Sequence, residues 1–128
     1  MPLHHFDDLE IWKRSSRLAV SVLELINPVT LYALRDQMAR SCLSVPSNIA
    51  EGAERESHRE FRRFLEIAKG SAGELRTQLY IGLAAGVFSS EAATPLIKEA
   101  KEISSMIEGL RKRLIGPGLI NKVLAFFC

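Results

Sequence analysis

The 128-residue sequence predicts an all-α protein, an antiparallel up-down-up-down four-helix bundle, and three observations carry that prediction. Apolar residues recur at alternating spacings of four and three in long segments, the signature of one buried helix face. No segment sustains the period-two alternation of a half-buried strand. The segments are joined by short connections rich in Asn, Pro, Ser and Gly, as between successive helices of a bundle.

The first helix is expected to start near Asp7 or Asp8, either of which can serve as N-cap. Leu9, Trp12, Ala19, Val22, Leu23 and Ile26 give its apolar stripe, and Asn27-Pro28 ends the run. A second helix follows Thr30 and runs to about Gly52 or Ala53, with an apolar ladder of Leu34, Met38, Cys42, Val45, Ile49 and Gly52. Ser57, with Glu60 three residues on, forms a capping-box pattern for the third helix. Its seam is Phe61, Leu65, Ala68, Ala72, Leu75 and Leu79, continuing towards Gly82 and Gly86, with Phe64 and Phe88 broadening it. A fourth helix opens near Ser90 and carries Leu96, Ala100, Ile103, Ile107, Leu110 and Leu114 before Gly116-Pro117-Gly118 stops it. The chain thus divides into a bundle, 1–116, and an apolar C-terminal tail, 117–128, expected to pack on the bundle or on a neighbouring subunit.

Pro46 interrupts the second helix in principle, because it has no N–H for the carbonyl of Cys42 and its ring crowds that turn. Both faces of the helix keep phase across it, so a kinked continuous helix is expected, with the hydroxyls of Ser41, Ser44 and Ser47 helping to satisfy the freed backbone.

Beside the apolar ladder runs a polar one: Gln37, Ser41, Ser44, Asn48, Glu51 and Arg55, at spacings of four, three, four, three and four. Its plainest reading is a solvated flank with a Glu51–Arg55 pair. Ser41 and Asn48 border the apolar stripe, however, and a polar group taken into a helix contact needs a partner. A network between helices or between subunits, centred on Asn48 and Glu51, accounts for the ladder better. In the third helix, Gly70 and Gly73 each cost about 1 kcal/mol against alanine. They point away from the seam, so a close approach from another subunit is expected there.

Composition is that of an ordinary globular chain, 47% hydrophobic and 25% charged, with 17 basic against 15 acidic residues. The net charge of +2 is too mild to name a nucleic-acid partner, so the distribution of cations must decide. Arg55, Arg59, Arg62, Arg63, Lys69 and Arg76 lie along one side of the third helix and its approach, where cations at helical spacing can meet successive phosphates. The competing reading is a charged bundle surface laced by pairs such as Glu51–Arg55, Glu56–Arg59 and Glu60–Arg63. Arg111-Lys112-Arg113 closes the fourth helix, where it complements the negative helix end.

Catalysis finds little support. His4, His5 and His58 fall at termini or turns, no serine has an elbow motif around it, and no phosphate-cradling glycine loop is present. Glu54 and His58 have no matching second copy of the kind a bundle di-metal site requires. No enzyme activity, metal or cofactor is therefore expected. Cys42 and Cys128 read as free thiols of a reducing cytoplasm, and neither a secretory signal nor a membrane-spanning run is seen.

Four motifs together resemble the bacterial four-helix bundle proteins first met as open reading frames in intervening sequences of 23S ribosomal RNA. They are Phe6-x-x-Leu9-x-x-Trp12-Lys13, Gln37-x-x-Arg40-Ser41, the run Ser44-Val45-Pro46-Ser47-Asn48-Ile49-Ala50-Glu51-Gly52, and Phe61-x-x-Phe64-Leu65-x-Ile67-Ala68-x-Gly70-Ser71-x-x-Glu74-Leu75. The resemblance spans about residues 6 to 114. It implies a ring-shaped homopentamer, and it marks Asn48, Glu51 and Gly70 as family features. One branch of that family, the accessory variability determinant of diversity-generating retroelements, binds a reverse transcriptase and nucleic acid through a basic surface. RNA or DNA, and a nucleic-acid enzyme such as a reverse transcriptase, are accordingly the partners the resemblance implies beyond the chain itself.

Overall fold

The computed structural model describes residues 6–115. A short 3-10 turn, Phe6–Asp8, leads into four helices: α1, Glu10–Ile26; α2, Tyr32–Ala53; α3, His58–Ala84; and α4, Ser90–Arg113. No strand occurs among the described residues. The tail 117–128, His4, His5 and Cys128 lie outside them.

The helix ends follow different rules. Ser57 and Ser89 cap α3 and α4 through their hydroxyls, which accept the amides of Glu60 and Ala92, each at 3.2 Å. The capping box is only half formed, because the Glu60 carboxylate accepts from Arg63 Nε at 2.9 Å. Neither Asp7 nor Asp8 caps α1. Both belong to the 3-10 turn, and the N-cap is Leu9 with no side-chain bond. The entry of α1 is held by apolar packing in which Phe6 meets Trp12 edge to face at 5.2 Å. α2 follows Thr30 as expected, with Leu31 as its N-cap and no side-chain bond there. Gly86, at φ +75°, ends α3: the Val87 amide donates to Gly82 O at 2.8 Å and the Gly86 amide to Leu83 O at 3.1 Å, a Schellman closure.

The core sits where the four-three seams place it. Phe61, Leu65, Ala68, Leu75 and Leu79 of α3, Met38 and Ile49 of α2, Val22 of α1, and Ala100, Ile103 and Ile107 of α4 are inaccessible to solvent. Each fully buried large apolar side chain contributes about 1.5–3 kcal/mol relative to exposure. The predicted stripes of α1 and α4 are rotated slightly in the structure. Ile11 and Leu18 enter the core whereas Leu23 turns outward beside Val20, and Ala93 and Ile97 are buried while Leu96 and Leu110 sit at its edge. Each helix touches two neighbours, so its buried arc is wider than one line of residues.

The helices make a closed ring of neighbours: α1 on α2, α2 on α3, α3 on α4, and α4 on α1. Across α2 and α3, Ser41 meets Gln78, Ser44 meets Ser71, and Gly52 lies against Phe61 and Phe64. Across α3 and α4, Lys69 meets Glu108, Glu66 meets Arg111, and Arg62 meets the carbonyl of Leu114. In both sets one residue number rises as the other falls. No helix of the described residues is long and apolar enough to cross a membrane.

α2 runs through Pro46 without a break, and the proline is buried. Two of the three neighbouring hydroxyls bond elsewhere: Ser41 Oγ stands 2.7 Å from Gln78 Oε1 and 3.2 Å from Met38 O, and Ser44 Oγ is 2.7 Å from Ser71 Oγ.

Candidate functional surface

The polar ladder of α2 splits into a buried half and an exposed half. Ser41 is 2% exposed and donates to Gln78 of α3, whose Nε2 donates in turn to Glu74 Oε1 at 3.3 Å. Ser44 bonds Ser71, and Asn48 Nδ2 donates to Ser44 O at 2.8 Å and Ser44 Oγ at 2.9 Å. The network therefore joins α2 to α3 within one subunit, with Ser41 and Ser44 as its bridging members. Asn48 supports it from within α2. Gln37 is exposed, and Glu51 is a surface partner of Arg55 at 2.8 Å. The expected centre at Asn48 and Glu51 thus moves two turns towards the N-terminus. Ser71 stands in the sequence only as part of the α3 motif, with no partner assigned to it, and nothing local distinguishes Gln78 from other polar residues of α3.

The glycines divide as well. A methyl group on Gly52 would stand 2.7 Å from Phe64 Cβ and 2.9 Å from Phe61 Cδ1, so this glycine lets α2 and α3 approach closely. Gly70 and Gly73 have open space on the Cβ side within the subunit. Gly70 belongs to a stripe on α3 opposite the core, Ile67, Gly70, Glu74, Thr77 and Ile81, all exposed, with Ile67 at 43% and Ile81 at 56%.

The six predicted phosphate contacts do not form one free cationic face. Arg55 and Arg63 stand over the Phe64 ring, at 5.0 and 4.6 Å from its centroid, while pairing with Glu51 and Glu60. Hydrogen bonding from Arg63 holds the Glu60 carboxyl below its usual range. Arg62 donates to Leu114 O at 3.1 Å, closing the C-terminus of α4. Lys69 donates to Glu108 at 3.2 Å. Arg59 and Arg76 make no ion pair with a described residue.

Further cations converge from α4. An open groove of about 430 Å³ between α3 and α4 is lined by Lys69, Arg76, Lys101, Ser104, Ser105, Glu108, Gly109 and Lys112. A second, of about 600 Å³ on the α1 side, is lined by Arg14, Lys98, Lys101, Glu102, Ser105 and Met106. The acids in these grooves are committed. Glu108 accepts from Arg111 at 2.7 Å and from Lys69, and these bonds hold its carboxyl near 2. Glu102 and Glu99 both accept from Arg14, whose guanidinium is raised above its ordinary value while Glu99 is lowered. In the sequence Lys98 and Lys101 alternate with Glu99 and Glu102, a mixed pattern that by itself marks no cationic face.

Cys42 is buried, and desolvation pushes its thiol up to about 11. No cluster of three His, Cys, Asp or Glu side chains that could hold a metal occurs among the described residues.

Fold and surface together define an all-helical bundle protein with a cation-rich outer face. The chain belongs to the 23S rRNA-intervening sequence protein family, whose model matches residues 7–109. Among solved structures it is similar to a protein of unknown function from the S23 ribosomal protein family of Bacteroides thetaiotaomicron, with a TM-score of 0.76 at 23% identity over 80% of this chain and 98% of that one. That likeness concerns the fold. No curated protein matches the chain.

Proposed function

We propose that the protein is a non-enzymatic, cytoplasmic, homo-oligomeric scaffold or accessory factor built on an antiparallel up-down-up-down bundle, with nucleic acid as its partner class. The inverse numbering of the contacts between α2 and α3 and between α3 and α4 supports the antiparallel arrangement. Self-association is carried by the outer stripe of α3, where exposed Ile67 lies one turn from Gly70, Ile81 lies further along the same stripe, and the side chain missing at Gly70 leaves room for a second helix. A five-membered ring is the assembly the family resemblance implies. Size exclusion with light scattering tests it: an oligomer is expected, Gly70→Glu should dissociate it, and a monomeric wild type refutes this part of the proposal.

Nucleic-acid binding rests on the surplus of cations along α3 and α4, and a nucleic-acid enzyme such as a reverse transcriptase is the kind of protein such a scaffold would serve. Mobility shifts across a salt series test it, and affinity insensitive to salt is the contrary result. A second reading is a structural homo-oligomer that binds only protein. It is favoured by the internal engagement of Arg55, Arg62, Arg63 and Lys69, and complete absence of a shift at low salt would decide for it.

A further inference from the structure

The outer face of α4 carries a ladder of its own. Thr94, Lys98, Lys101, Ser105, Glu108 and Lys112 recur at spacings of four, three, four, three and four, along the flank of the helix beside the buried Ala93, Ile97, Ala100, Ile103 and Ile107. Lys101 and Ser105 line both grooves described above, so the ladder is the ridge between them. Six cations border this saddle: Arg14, Lys69, Arg76, Lys98, Lys101 and Lys112. Arg14 is held by Glu99 and Glu102 and Lys69 by Glu108, and those three ion pairs neutralise the acids that would otherwise repel an anion. Arg76, Lys98, Lys101 and Lys112 make no ion pair with a described residue and are left to face a ligand.

We infer that this α4 saddle is the phosphate-binding surface and that its ligand is a nucleic-acid duplex read through its backbone, without sequence preference. The inference rests on the nucleic-acid part of the function proposed above and relocates its contacts from the start of α3 to α4. From Lys98 to Lys112 the ridge runs about 21 Å at the helical rise, long enough to lie along a few successive phosphates of one strand of a duplex. Ser104 supplies a hydroxyl donor between the cations, whereas Ser105 Oγ donates to Lys101 O at 3.3 Å. No aromatic side chain lines either groove, and binders of single strands rely on aromatic rings for stacking. Contacts of this kind position a duplex and carry no base information.

The experiment is fluorescence anisotropy of labelled random-sequence duplexes and the corresponding single strands, titrated with the full chain from about 50 to 200 mM salt. Four free cations predict a log–log salt slope of about −3.6 on duplex, hence roughly 100-fold weaker binding across that range. The double variant Lys98→Gln and Lys101→Gln should halve the slope to about −1.8, whereas Arg59→Gln should leave it unchanged. All three positions are exposed, so these variants keep the fold. If the double variant keeps the full slope while Arg59→Gln reduces it, nucleic-acid binding stands and the α4 location is wrong. Tighter binding of single strands overturns the duplex assignment, and equal binding of polyglutamate at matched salt overturns nucleic acid as the ligand. No binding at the lowest salt ends both this inference and the reading beneath it.

Discussion

Gly52 and Gly70 are the same residue type inside neighbouring helices, yet alanine at the two sites should shift stability in opposite directions. At Gly52 the added methyl group meets Phe64 Cβ at 2.7 Å, Phe61 Cδ1 at 2.9 Å and Phe61 O at 3.4 Å. A Cβ cannot swing aside as the end of a flexible chain can, so α2 and α3 must separate locally. Overpacking of this kind costs about 1–3 kcal/mol. The gain in helix propensity is at most about 1 kcal/mol, and less here because Gly52 is the penultimate residue of α2. Gly52→Ala should therefore lose about 1–2 kcal/mol. At Gly70 nothing lies within 4 Å of the new methyl group and the site is mid-helix. Within one subunit the propensity term acts alone there, so at a protein concentration low enough to dissociate the assembly proposed above Gly70→Ala should gain about 0.5–1 kcal/mol. Urea unfolding followed by circular dichroism, at one protein concentration for all chains, measures both. If Gly52→Ala stabilises as much as Gly70→Ala, α2 and α3 do not touch at Gly52 as described.

Two more expectations concern the polar contacts. Ser41→Ala removes the 2.7 Å donor from Gln78 Oε1 in a buried site and should cost about 1–2 kcal/mol; the double variant with Gln78→Leu should recover part of that in a mutant cycle, and strict additivity would contradict the pairing. Glu99 and Glu108 have folded-state pKa values below their ordinary 4.5, so their contribution is complete above that pH and is lost as pH falls through the folded values, near 2 for Glu108. Urea midpoints should decline from about pH 4.5 towards pH 2, and Arg14→Gln with Arg111→Gln should flatten the decline; an equally steep decline in that variant would remove these pairs as its source.

The helices themselves were legible because their determinants are local. The seam Phe61, Leu65, Ala68, Ala72, Leu75, Leu79 needs only the 3.6-residue period to be read, and all six residues are buried. Ser57 was legible as a cap for the same reason, since its partner is an amide three residues on. Asp7 and Asp8 show the limit of such rules: they have capping chemistry, but the packing of Phe6 and Leu9 sets where α1 begins. The polar ladder was legible as a ladder, and its partners were not. Which residues of α3 face Ser41 and Ser44 depends on how α2 and α3 are aligned, and that alignment is settled by Gly52 seating against Phe61 and Phe64.

The class of fold, the number of helices and most of the core can be read along the chain, because helix period, caps and breakers act within a few residues of one another. Which charges are spent across the bundle and which stay free depends on how the helices come together. Arg14, Arg62 and Lys69 find partners far away in the chain, while Lys98, Lys101 and Lys112 of α4 come to share a surface with Arg76 of α3. Electrostatic pairing is a matter of distance in space, and helices far apart in sequence bring those distances about only when the bundle closes.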